Sequence, residues 1–158
     1  MNDFLEKKLN TLKLKRLLPK NNALANYKPY VQSDNLIFIS GQLPLTKEGI
    51  KYRGKIKKGF NSNEVKSAVE LTTINLLWNL CDSIKENKKK IKKLKCCNLK
   101  GYLNCEEDFT EHPTILNYSS DLIVKVLGKD GLHSRVAVGV SSLPLNSLVE
   151  IESTFSIY

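Results

Sequence analysis

The chain has 158 residues, 41% of them hydrophobic, and a formal charge of +9, a length that suits one domain able to bury a core without metal or disulfide staples. Its four cysteines, Cys81, Cys96, Cys97 and Cys105, form neither a CxxC redox motif nor a zinc-ligand set, so reduced thiols and no metal site are expected. No segment approaches the roughly 20 apolar residues of a membrane span and no apolar signal core stands near the N-terminus. A cytoplasmic protein is expected, with organelle targeting left open by the lysine-rich opening.

Residues 1–25 read as an N-terminal helical extension, with Leu5, Leu9 and Leu12 at helical spacing until Pro19 ends the pattern. A single domain then runs over 26–158. Tyr30 to Gln32 and Leu36 to Ser40 are β-prone and flank the turn-forming Ser33-Asp34-Asn35, which predicts a hairpin. Leu36-Ile37-Phe38-Ile39 is apolar without alternation, as in a strand covered on both faces. Ser40-Gly41-Gln42 follows directly. Lys47-Glu48-Gly49 predicts a turn before a short strand around Ile50 to Arg53.

The strongest helix starts near Asn61, where Asn61 as cap and Glu64 three residues on resemble a capping box. Val65, Ala68, Val69, Leu76, Leu77, Leu80, Cys81 and Ile84 form one stripe of period near 3.6. Trp78 reads as a packing residue and Cys81 as a small core residue. Lysines 85, 88, 89, 90, 92, 93, 95 and 100 then straddle two elements. They read as a solvated connection, with a phosphate-tracking patch as the alternative. No aromatic residue interrupts the run to stack a base.

A strand from Cys96 to about Asn104 and a loop at Glu106 to Phe109 follow. Pro113 suits the first turn of a second helix with stripe Ile115, Ser119, Leu122, Ile123, Val126 and Leu127, closed by Gly128. In Arg135 to Val140 the valines 136, 138 and 140 alternate with Arg135, Ala137 and Gly139, and the valines are expected under the helices. In the last strand Val149, Ile151, Phe155 and Ile157 face one way, and Glu150, Glu152, Thr154 and Ser156 the other. This order predicts an α+β fold with two helices on one face of a mixed sheet.

The opposite face would then carry Arg135, Ala137, Gly139, Glu150 and Glu152, which is neither a core nor a plain solvent face, so self-association is expected. An arginine on an apolar strand is retained where an anion neutralises it. That anion is a ligand carboxylate on one view, and Glu150 or Glu152 across a subunit contact on the other. His133 reads as a strand-end residue rather than an acid catalyst. Ser40 lacks a nucleophile-elbow motif, and His112 and His133 are the chain's two histidines.

The ordered set Pro29-Tyr30-Val31-Gln32, Phe38-Ile39-Ser40-Gly41-Gln42-Leu43-Pro44, Arg135-Val136-Ala137-Val138, Leu143-Pro144 and Val149-Glu150-Ile151-Glu152 resembles the RidA/YjgF family, also known as liver perchloric-acid-soluble-protein endoribonucleases. The resemblance runs from about Asn26 to the C-terminus. It implies a chorismate-mutase-like (ferredoxin-like) α+β fold, assembled as a homotrimer with clefts between subunits. It further implies cofactor-free hydrolysis of reactive enamines and imines, such as 2-aminoacrylate, to 2-keto acids and ammonia. Arg135 then matches the arginine that grips the substrate carboxylate, and Glu150 the acid that positions or activates water. Tyr30 matches a cleft tyrosine, with Tyr27 near enough to compete for the role. Ser40 and Gly41 match the cleft-lining turn, and Asn117 a polar residue near the ligand. Ala137 stands where the family often has cysteine, which removes a thiol adduct there, and the Ser33 to Asn35 connection is shorter than in the best-known members. An RNA-directed endoribonuclease or translation inhibitor is the second expectation, and a ligand-binding trimer without turnover the third.

Overall fold

Asp34 takes a left-handed φ of 50° and turns the chain between two strands, as its turn-forming neighbours predict. The computed structural model describes residues 2–20, 26–88 and 90–158. Its elements are α1 (Phe4–Thr11), β1 (Tyr30–Ser33), β2 (Leu36–Gln42), β3 (Leu45–Thr46), β4 (Gly49–Ile50), α2 (Ser62–Glu86), β5 (Leu94–Asn104), α3 (His112–Leu127), β6 (Ser134–Val140) and β7 (Val149–Ile157). The expected break between extension and domain at 25/26 touches residues 21–25, and Lys89 of the lysine run is a single position; these lie outside the described residues.

Asn61 caps α2 as expected, its Oδ1 accepting from the backbone N–H of Asn63 at 3.1 Å and of Glu64 at 3.2 Å. Pro113 stands in the first turn of α3, and Gly128, at φ 63°, ends it. Five strands form one sheet in the order β1-β2-β7-β5-β6, and β3 pairs with β4 in a separate small hairpin. The β5–β6 pair is parallel and the other pairs of the large sheet are antiparallel. A parallel pair needs a crossover, which α3 supplies. Helices α2 and α3 touch each other on one face, where the buried Thr73 hydroxyl donates to Ser119 at 2.8 Å. Ile37, Leu76, Leu80, Leu99, Ile115 and Phe155 are fully buried between the helices and the sheet. The mixed α+β sheet with its helices on one face is as the sequence predicts.

Strand β6 lies in the opposite phase to that expected. Its register sets Arg135 beside Leu99, Ala137 beside Gly101 and Gly139 beside Leu103, and Leu99 and Leu103 are fully buried under the helices. Arg135, Ala137 and Gly139 therefore share the helix side, while Val136 and Val138 are 43% and 38% exposed on the other. Small size is the reason. A Cβ on Gly139 would stand 2.6 Å from both Cys105 Sγ and His112 Nε2, so the start of α3 approaches this edge only over a residue without a side chain. Phe38 also departs from expectation. It is 44% exposed, because no helix among the described residues covers its face.

Helix α1 docks on α2 through buried Leu5 and Leu9. The segment after it is tied down by Arg16, whose guanidinium donates to both oxygens of Asp82 at 2.8 and 2.6 Å and lies 4.6 Å from the Trp78 ring centre. Among the lysines of the run, Lys85 pairs with Glu6, Lys93 with Asp130 and Lys100 with Glu152. Burial pushes the thiols of Cys81 and Cys96 up to about 11, as suits core residues. No helix among the described residues is long and apolar enough to cross a membrane.

Candidate functional site

The expected site residues fall into two groups on opposite faces of the sheet. The first surrounds Glu150. Strand β7 alternates from Val149 to Thr154, so Val149 and Ile151 enter the core and Glu150 emerges, half-buried, on the helix-free face. Burial pushes its carboxyl above the ordinary range, and the neighbouring Glu152 charge adds to the shift. Gly41, at the end of β2, lies against this carboxyl so closely that a Cβ there would stand 2.0 Å from Glu150 Oε1. The β2–β7 register shifts between Ile39 and Gln42. That irregularity brings Gly41 over Glu150 and turns the Gln42 side chain to α2, where its Oε1 accepts from Asn79 at 2.9 Å. Ser40 holds the turn, its hydroxyl donating to the Lys28 carbonyl at 2.7 Å. Glu150 and Gly41 line a cleft of about 70 Å³ with Leu18, Tyr27, Leu43 and Pro144.

Of the two tyrosines weighed for the cleft, Tyr27 lines this one. Tyr30 points to the helix side, where it bonds to Glu86, and burial with the Glu86 charge raises its pKa. It lines a different, open cleft of about 540 Å³ with Gln32, Ser83 and Glu86.

The second group surrounds Arg135 at the sheet edge. Its Nη1 donates to Ser120 Oγ at 2.9 Å and its Nη2 to the Pro113 carbonyl at 3.3 Å. Among the described residues it is paired with no carboxylate. Asn117 is exposed on α3 and belongs to the same stripe as Pro113 and Ser120, four and three residues away. Ala137 is the next residue of β6 on the Arg135 face. His133 Nε2 lies 3.0 Å from Ser120 Oγ and its Nδ1 2.6 Å from the Gly131 carbonyl. With Nδ1–H donating to the Gly131 carbonyl, Nε2 accepts from Ser120, whose oxygen in turn accepts from Arg135. His133 is thus tied into the support of the guanidinium.

Arg135 does not meet Glu150 or Glu152 within the chain. They face opposite ways, and Glu152 is paired with Lys100 at 2.6 Å. Two guanidinium N–H groups are engaged by α3, and the rest of the five-donor fork has no hydrogen-bond partner among the described residues, which leaves it to an anion. Sequence reasoning missed Leu18 and Ser120. Helical spacing from Asn117 marks Ser120, whereas no local pattern marks Leu18. The described residues contain no cluster of three or more metal-ligating side chains.

The profile of the family described as "YjgF/chorismate_mutase-like, putative endoribonuclease" matches residues 9–155, and the chain belongs to this YjgF/RidA family. The protein TCP17 of Trypanosoma cruzi is 30% identical over 129 residues, which cover 81% of this chain and 79% of that protein. Among solved structures, Atu1372 of Agrobacterium tumefaciens, described as of unknown function, is 33% identical with a TM-score of 0.81, over 99% of this chain and 94% of that one. A Shewanella oneidensis protein with the same endoribonuclease description is 30% identical with a TM-score of 0.82, over 96% and 98% of the two chains. The mixed sheet with its helices on one face accords with the chorismate-mutase-like fold of the family.

Proposed function

We propose that the protein hydrolyses reactive enamines and imines of amino acids to 2-keto acids and ammonia without a cofactor, in clefts where Arg135 of one protomer meets Glu150 of its neighbour in a homotrimer. The observation that carries this reading is the pair of incomplete half-sites. A guanidinium with no carboxylate partner among the described residues and a half-buried carboxyl point away from each other across one sheet, an arrangement that a second chain would complete. The helix-free face supports association. It exposes Val31, Phe38, Val136 and Val138 by 38 to 51%, an apolar surface suited to an interface.

In this reaction the Arg135 fork binds the substrate carboxylate and fixes the position of the reacting carbon. An enamine such as 2-aminoacrylate first takes a proton on its terminal carbon from the acid form of Glu150, which burial favours, and becomes the iminium ion, the protonated imine. The Glu150 carboxylate then accepts a proton from water as the hydroxide adds to the iminium carbon, passes that proton to the nitrogen, and takes up the hydroxyl proton as the C–N bond breaks. Collapse of the resulting carbinolamine expels ammonia and leaves the 2-keto acid.

The test uses imines generated in place by an amino-acid oxidase, with ammonia and keto acid followed above the spontaneous rate. The parent protein accelerates release and Arg135→Ala does not; equal rates defeat the reading. Sedimentation of the parent as a trimer, shifted toward monomer by Val138→Glu, tests the assembly. A parent that is monomeric at micromolar concentration removes the shared cleft.

The charge of +9 and the family description favour a second reading, an endoribonuclease or translation inhibitor. Against it, three lysines of the run are tied to acids, and the two histidines are engaged separately with Cys105 and with Ser120. RNA cleavage by highly purified protein that vanishes in Arg135→Ala promotes this reading. Carboxylate binding without turnover leaves a ligand-binding trimer.

A further inference from the structure

One stripe of α2 holds both the segment that precedes the sheet and the wall of the Glu150 cleft. Asn75, Trp78, Asn79 and Asp82 are spaced to share a helix face. Asp82 grips Arg16, and the Trp78 indole N–H donates to the Leu14 carbonyl at 2.9 Å. Beside them Asn75, buried, donates to the carbonyls of Leu43 and Leu45, each at 3.0 Å, and Asn79 donates to Gln42. Both walls are thus fixed to the same rigid element. As a result Leu18, half-buried, lines the same small cleft as Leu43, Leu45, Pro144 and Glu150.

Glu150 is the one charged group among the described residues lining this cleft. The walls are otherwise apolar or neutral, so the part of a ligand that enters beside Glu150 is an uncharged hydrocarbon group. A volume of about 70 Å³, against roughly 10–15 Å³ of such space needed to admit one water, restricts that group to a few carbons. We propose that the segment from Leu12 to Lys20 is an integral wall of the reaction site and that Leu18 is a specificity-determining residue, limiting the length of the aliphatic side chain the substrate carries. The inference rests on the deaminase reading for its substrate class. It goes beyond that reading in assigning selectivity to a segment outside the sheet.

The test measures binding of straight-chain 2-oxo acids of three to six carbons to the parent, Leu18→Ala and Leu18→Phe by calorimetry. In the parent, affinity stops rising at a short chain length. Leu18→Ala moves that limit outward by one or two carbons, gaining about fourfold for each methylene newly buried, and Leu18→Phe moves it inward. A purely structural role for Leu18 lowers the melting temperature and leaves the chain-length profile alone. Identical profiles in the three proteins, or no binding of any 2-oxo acid to any of them, overturn the inference. Shifted profiles in a parent that turns over no imine sustain the cleft wall and remove the deaminase chemistry.

Discussion

Replacing Gly41 by alanine separates the function of the Glu150 cleft from the stability of the fold. The added Cβ stands 2.0 Å from Glu150 Oε1, 2.9 Å from Cδ and 3.1 Å from Cγ. Ordinary contact begins at 3.4 Å, so the carboxyl oxygen must retreat by about 1.4 Å. The group in the way is the free end of a flexible side chain rather than backbone, and Gly41 is not among the glycines with positive φ. The retreat therefore costs the fold little, on the order of 1 kcal/mol or less. Catalysis is more exacting, because a misplacement of about 1 Å at a reacting group costs on the order of 100-fold in rate. Gly41→Ala is expected to melt within a few degrees of the parent while imine hydrolysis falls by about two orders of magnitude. The assay is keto-acid release under single-turnover conditions beside a calorimetric melt. Full activity with Glu150 unmoved in a crystal structure of the variant would refute the proposed role of the carboxyl.

The raised pKa of Glu150 makes a second prediction with a definite sign. Folding raises the affinity of this carboxyl for a proton, so its ionisation at neutral pH opposes the folded state, and the penalty disappears as pH falls below the ordinary carboxylate value of about 4.3. Glu150→Gln should raise the melting temperature at pH 7.5 and lose that advantage near pH 4; an advantage that grows on acidification contradicts the assignment. Arg16→Ala leaves Asp82, 5% exposed, without its bidentate partner, and is expected to cost about 3 kcal/mol in urea unfolding. A loss within 0.5 kcal/mol, about the scatter of ordinary surface substitutions, would show that the N-terminal segment is not held through this pair.

Much of the architecture was legible in local chemistry. The Asn61 cap, Pro113 at the first turn of α3, Gly128 at its end and the Asp34 turn each act on their own neighbours, so their effects could be read without knowing what packs where. The alternation of β7 likewise announced two faces, and its burial follows that alternation up to Thr154. In β6 the same alternation misled, because period two defines a pair of faces without saying which one the helices take. Valine alone suggested the core. The parallel register with β5 and the close approach of α3 to Gly139 placed Arg135, Ala137 and Gly139 there instead.

The site shows the same division. The residue types at Arg135 and Glu150, and the family to which their setting belongs, could be drawn from the one-dimensional chain, since motif order survives without coordinates. Tertiary structure alone decided that the two groups point to opposite sides of one sheet, that Tyr27 rather than Tyr30 lines the Glu150 cleft, and that Leu18 reaches it at all. The physical reason is that side-chain direction and contacts between distant segments depend on strand register and on the packing of α2 and α3, and these are summed over the whole fold rather than written in any one stretch of it.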